Sequence, residues 1–265
     1  MTRTQYRKSW LRLQAKYERR AYKVFLTSLR NSANKVPWEQ LSEGNYKMLL
    51  EFNINEVEVS RAFYNTYLEI GTAHGKRVGK AINKELKNFV ADSFGEVFGN
   101  ILRFYVRNVL GRKIVSVRDS MVKYLLAEIE RGMSEGLTIR EISAYMQKLV
   151  NSSRFYRWQA LRIARTETTA AANYGATIAG ESSGIPLQKE WISANDARTR
   201  RKPPSQYDHL EMDGVRVDQK EKFNVDGDLI LFPGDPDGQG GNVINCRCTV
   251  ALVPKRDANG RLVLV

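Results

Sequence analysis

Cys246 and Cys248 are one residue apart, and on a strand that spacing puts both thiols on the same face. A disulfide between such close neighbours would be strained, which leaves two free thiols or two metal ligands. The chain has only two histidines, His74 and His209, so mechanisms that need several are excluded. With His209 and one further carboxylate or water, the Cys-x-Cys pair would complete a tetrahedral zinc site, a staple that suits a small loop-rich unit. The competing reading is packing. Free cysteine is among the most buried residue types, so Cys248 would sit in a core with Cys246 beside it and His209 hydrogen-bonded to a loop carbonyl. Spacing leaves both open.

Other chemistry is thinner. Asp226-Gly-Asp228 and Asp235-Pro-Asp237 have the carboxylates to hold a divalent cation, as a nuclease requires, but Asp beside Gly and Pro is the composition of tight turns. Gly71-Thr-Ala-His-Gly75-Lys76-Arg77 is short by one residue for a phosphate loop and lacks the hydroxyl after its lysine, which rules out that kind of ATPase site. There is no dinucleotide fingerprint, nucleophile elbow or His-Glu-x-x-His helix.

The elements that carry these residues are read from periodicity. Tyr6, Trp10, Leu13, Tyr17, Ala21 and Val24 recur at steps of three or four, the stripe of an amphipathic helix, and residues 31–56 read as a linker or irregular segment. Helical spacing returns from Val59 through Phe89 and Val90 to Val109, and again around Met121–Ile129. Thr138 with Glu141 forms a capping box before a further helix. A last helix is expected from Ser152 or Ser153 to Ser183-Gly184. From residue 187 short alternating or β-branched runs alternate with Gly, Pro and Asp turns, at 187–194, 215–217, 229–232 and 248–253. The fold class is α+β: a predominantly helical N-terminal region with a small C-terminal β-containing domain. The expected divisions are 1–55, a basic amphipathic helical arm and linker; 56–151, a helical region; 152–255, the α+β domain; and 256–265, a tail.

Charge divides the chain along the same lines. The formal net charge is +13, and residues 1–30 hold nine bases against one acid, whereas residues 188–265 balance twelve against twelve. Such a segment suits a polyanion, contacted non-specifically through phosphates, and Arg7, Lys8, Arg12, Lys16, Arg19 and Arg20 are the candidate contacts. The alternative for this helix is a solvated basic face over a packed aromatic stripe. No apolar run is long enough to span a membrane, and the basic start lacks the apolar core of a secretory signal, so a cytoplasmic product is expected.

The ordered series Ile163-Ala-Arg-Thr-Glu-Thr168, Lys189-Glu-Trp-Ile-Ser193, Asp196-Ala-Arg198, His209, Met212-Asp-Gly214, Pro233-Gly-Asp-Pro236 and Asn242-Val-Ile-Asn-Cys-Arg-Cys-Thr249 resembles the phage Mu F-like family of head morphogenesis proteins. The resemblance spans about residues 160–252. It implies a minor head protein at the portal vertex of a tailed bacteriophage or prophage, made in the host cytoplasm and carried in the virion, with no enzymatic activity. The implied partners are the portal protein, other head proteins and packaged DNA, with no membrane and no small-molecule substrate. The resemblance carries Arg165, Glu167, Trp191, Asp196, Arg198, Asp213, Gly214, Pro233, Gly234, Asn245 and Arg247 as the domain's signature, and gathers Arg165, Glu167, His209, Cys246 and Cys248 at its centre, with a structural zinc as the one cofactor in view. The rivals are a metal-dependent nuclease, an ADP-ribosyl-transferring enzyme and a free DNA-binding protein.

Overall fold

The computed structural model describes residues 2–86, 94–261 and 263; Phe89 and Val90 of the expected helical block lie outside them. Helix α1 spans Arg3–Ala33 and opens with a capping box in which the Gln5 amide donates to Thr2 Oγ1 and the Thr2 amide to Gln5 Oε1. A short 3-10 turn, Trp38–Gln40, and α2, Tyr46–Asn53, follow. Then come α3, Glu56–Leu86, α4, Phe94–Asn108, α5, Gly111–Ser134, and α6, Ile139–Asn151, the last with the expected Thr138–Glu141 capping box. Helix α7, Arg157–Glu181, leads into the strands.

Strand β1, Leu187–Ile192, is the centre of a three-stranded antiparallel sheet, flanked by β2, Arg216–Asp218, and β5, Thr249–Pro254. Strands β3, Phe223–Val225, and β4, Asp228–Ile230, form a hairpin whose Asp226-Gly227 turn takes positive φ at both positions. A single helical turn, α8, Gly240–Val243, precedes the cysteines. The α+β class holds. No helix among the described residues is long and apolar enough to cross a membrane.

Helix α7 is the axis of the molecule. Every residue from Thr166 to Gly180 is buried, because α1, α3 and the C-terminal segment cover it on different sides. Its Ala, Thr and Gly composition makes that enclosure geometrically possible. At the crossing with α3 the two backbones touch: a Cβ on Gly175 would lie 2.1 Å from the Gly71 carbonyl oxygen, and one on Gly75 would lie 2.7 Å from that of Gly175. Gly71 and Gly75 are therefore close-packing positions inside one continuous helix.

Three expectations change. The segment 31–56 is no linker, since Val36, Trp38, Leu41, Leu50 and Ile54 are buried in the common core and α2 packs on α5. Nor is α1 an arm. Its stripe Trp10, Tyr17, Ala21 and Phe25 is buried, Trp10 Nε1 donates to the Arg247 carbonyl at 2.8 Å, and Tyr6 Oη donates to that of Val250 at 3.0 Å. Periodicity showed the apolar face correctly but not what would cover it. His74 completes this seam, buried edge-on against Trp10 with neither ring nitrogen hydrogen-bonded among the described residues. Burial holds its pKa down at about 3, so it packs as a neutral ring. The last helix begins at Arg157 rather than Ser152, after Tyr156 adopts φ 45°.

Gly175→Ala should cost about 3 kcal/mol and lower Tm by roughly 6–12 °C, because no side-chain motion relieves a backbone clash. Gly44→Ala, where a Cβ meets nothing within 4 Å, should change Tm little. Equal Tm values in thermal melts of the two variants would remove the backbone contact from the account.

Candidate functional site

Cys246 and Cys248 sit at the approach to β5, held there by α7. Thr169 Oγ1 donates to the Cys246 carbonyl at 2.6 Å, and the Asn245 amide donates to Thr166 Oγ1 at 3.0 Å. Asn173 Nδ2 donates to the carbonyls of Pro233, at 2.8 Å, and Cys248, while its Oδ1 accepts from Thr249 Oγ1 and the Val250 amide. These side chains fall at positions i, i+3 and i+7 of α7, one face of the helix. Asn245 reaches its place at φ 58°, in the left-handed region that Asn tolerates.

His209 arrives from the long loop after β1 and is buried edge-on against Trp191 at 5.3 Å. Its Nδ1 lies 3.6 Å from Cys246 Sγ and 3.5 Å from Cys248 Sγ. Its Nε2 lies 2.6 Å from Asn242 Oδ1, and Asn242 Nδ2 in turn donates to Asp228 Oδ2 at 2.7 Å. The chain of partners sets the tautomer. Asp228 takes the amide N–H, so the Asn242 oxygen faces the ring and must accept from Nε2–H, leaving the Nδ1 lone pair aimed at the two sulfurs.

Among the described residues, His209, Cys246 and Cys248 are the one group of three or more His, Cys, Asp or Glu side chains close enough to share a metal ion, with ligand atoms within 4.8 Å of one another. A tetrahedron built on Zn–S of ~2.3 Å and Zn–N of ~2.0–2.1 Å has a sulfur–nitrogen edge of ~3.6 Å, which the observed separations match. The donor set is soft and fully buried, one ligand short of the usual structural four. Burial raises the Cys248 thiol well above the ordinary range, reinforced by the adjacent sulfur. Burial also works against ionising Cys246, but the hydrogen bond from the Cys248 thiol favours its thiolate and its pKa falls well below the ordinary range. The two thiols are thus pushed in opposite directions, and a bound dication would favour the ionised form of both.

The remaining signature residues divide between architecture and surface. Asp196 forms an ion pair with Arg247, Asp213 accepts from the Ser193 amide and from Arg7, and Gly214 at φ 90° donates its amide to the Trp191 carbonyl. Gly234, at φ 86°, passes so close to α7 that a Cβ would lie 3.0 Å from the Ala170 amide nitrogen. Arg198 is exposed. Arg165 and Glu167 do not join the His–Cys centre. Arg165 Nε bonds Glu18 on α1 at 2.8 Å, and Glu167 takes Tyr67 Oη at 2.8 Å and Lys113 Nζ at 3.1 Å, because the α7 face turned to the cysteines carries Thr166, Thr169 and Asn173 instead. Spacing on α7 contained that signal, as a polar row within an otherwise Ala- and Gly-rich stretch. The loop acids are turn formers: Asp226 binds Lys202 and the Asp208 amide, and Asp235 takes the amides of Leu231 and Asp237.

Residues 123–251 match the family model described as Phage Mu protein F like protein. The chain carries a phage Mu F-like domain. That domain supports a general role in bacteriophage head morphogenesis. The matched stretch begins inside α5, earlier than the motif series, and takes in α7, the sheet and the His–Cys centre. Comparison with curated proteins and with solved structures returns no match.

Within the Mu F-like domain, Asn242→Ala should destabilise by about 2–4 kcal/mol, since it strands a buried imidazole N–H and part of the hydrogen bonding of Asp228. Urea denaturation measures this, and a cost under about 0.5 kcal/mol would show that the relay carries no weight.

Proposed function

We propose that this Mu F-like protein is a non-enzymatic minor head protein that works at the portal vertex and contacts packaged DNA through one face of α1. The observation that carries the DNA contact is a row of cations. Lys8, Arg12, Lys16, Arg19 and Lys23 are exposed, fall on one face of α1 over about 22 Å, and have no carboxylate partner among the described residues. Two of the expected contacts drop out. Arg7 is committed to the Asp213 carboxylate and the Ser193 carbonyl, and Arg20 pairs with Glu69. The buried face of α1 fixes the row to the Mu F-like domain, so it presents a rigid ridge to a polyanion. Contacts of this kind neutralise phosphates without reading sequence.

Reversing Arg12, Lys16 and Arg19 to Glu should abolish most duplex binding and flatten its log–log salt dependence by roughly 3, at ~0.9 per lost phosphate contact. Association with the portal ring should survive moderate salt in the unmodified protein. Duplex affinity unchanged by the triple reversal would sink the DNA contact, and failure to co-purify with the portal would sink the vertex assignment.

The reading includes a structural zinc at His209, Cys246 and Cys248, where the metal would neutralise the sulfurs and cross-link the loop after β1 to the approach to β5. Elemental analysis of chelator-free protein should find about one zinc per chain, lost in Cys246→Ser and Cys248→Ser together with stability. Less than about half an equivalent, with both variants folding normally, would overturn it. A nuclease reading has less support, because Asp226, Asp228 and Asp235 already accept hydrogen bonds or an ion pair from other protein groups.

A further inference from the structure

A second concave site lies between α5, α7 and residues 236–244, a cavity of about 370 Å³. We propose that it binds the phosphate-bearing part of a nucleotide, either free or at the end of a nucleic-acid strand. The volume is at the small end of ligand pockets, which run ~300–1,000 Å³. This inference stands independently of the α1 ridge.

Three cations from two helices reach the cavity: Arg112 and Lys113 from the first turn of α5, and Arg162 from α7. Cations in a first turn oppose the helix dipole, and here no acid in that turn offsets them. The N-cap, Leu110, supplies no side-chain acceptor. The first intrahelical bond runs from the Ile114 amide to the Leu110 carbonyl, so the amides of Gly111, Arg112 and Lys113 lack acceptors within the helix. An anion at this end would relieve both the charge opposition and the uncapped amides.

The acid in the lining, Glu167, does not cancel this. It is buried, and its oxygens are already engaged by Lys113 Nζ and Tyr67 Oη. Arg112 meets Asp237 only at 3.5 Å with both side chains exposed, and Arg162 forms no ion pair among the described residues. Two guanidiniums therefore remain available, the group best shaped for phosphate oxygens. The same lining carries the apolar side chains Phe63, Val117, Ile163 and Val243, a surface for the uncharged body of the ligand. The lining includes Tyr156, buried yet held at φ 45°, a conformation disfavoured for a bulky residue and concentrated at ligand-holding segments. Cations alone would suit any polyanion; cations and apolar side chains lining the same cleft suit a phosphate carrying a flat, weakly polar group.

Titration calorimetry with the full chain would use inorganic phosphate, AMP, and a six-nucleotide strand with or without a 5′-phosphate. AMP is expected to bind more tightly than inorganic phosphate, and Arg112→Glu with Arg162→Glu should weaken it at least tenfold. Both arginines are exposed, so the reversals should not lower Tm; Lys16→Glu, on the α1 ridge, should leave AMP binding intact. A phosphorylated strand that binds more tightly than AMP and loses affinity without its 5′-phosphate identifies a strand end; AMP binding as tightly as the strand identifies a free nucleotide. The proposal is overturned if neither AMP nor the phosphorylated strand binds at millimolar concentration, if inorganic phosphate binds as well as AMP, or if the double variant binds as the wild type does.

Discussion

The amide of Asn173 is the point on which the C-terminal half of this protein hangs. Buried in the middle of α7, it uses both its donor and its acceptor capacity on four backbone or side-chain groups, from Pro233 to Val250. A buried amide left partly unpaired costs more than a made hydrogen bond gains, so such a group tolerates one arrangement of its neighbours. With Thr166 and Thr169 it fixes where the chain enters β5, and that entry point brings both cysteines to His209. The His–Cys centre is in this sense a consequence of α7. Asp228 and Asn242 then orient the ring from the other side, as hydrogen bonds to the far ring nitrogen commonly orient metal-binding histidines.

Enclosing α7 has a cost in side-chain size. Its neighbours can approach on every side only because the enclosed stretch is mostly Ala, Thr and Gly, and α3 meets it with Gly71 and Gly75. The same enclosure determines where the charge of α1 points. One face of α1 is committed to the core through Trp10, Tyr17 and Phe25, and its first turn is tied to the sheet by Arg3 and Arg7. Lys8, Arg12, Lys16, Arg19 and Lys23 are left outward and aligned. Buried Lys189 serves the same cohesion from β1. It donates to the Leu231 carbonyl at 2.7 Å, and burial lowers its pKa to about 8.

Much of this was legible in advance because it depends on local rules. The capping box at Thr138, the strand texture after residue 187 and the turn chemistry of Asp226-Gly227 are nearest-neighbour properties. The short strand Phe223–Val225 and the single turn Gly240–Val243 escaped notice, since three or four residues give too little periodicity to register. The segment 31–56 read as a linker because its Asn, Pro and Gly content outweighed its scattered apolar residues, which are buried only because a core lies beneath them.

By itself the sequence determined the α+β class, the apolar stripe and basic face of α1, and the ordered motifs that match the phage Mu F-like family. It also supplied the ligand types at 209, 246 and 248. Only the tertiary structure decided that α1 belongs to the core and that Arg7 is spent on Asp213. The same holds for the separation of Arg165 and Glu167 from the cysteines. The physical reason is that amphipathic periodicity specifies which face of an element is buried but carries no information about its partner. Partner choice depends on shape and polar satisfaction between residues as distant in the chain as Trp10 and Arg247, and those exist only once the helices have packed.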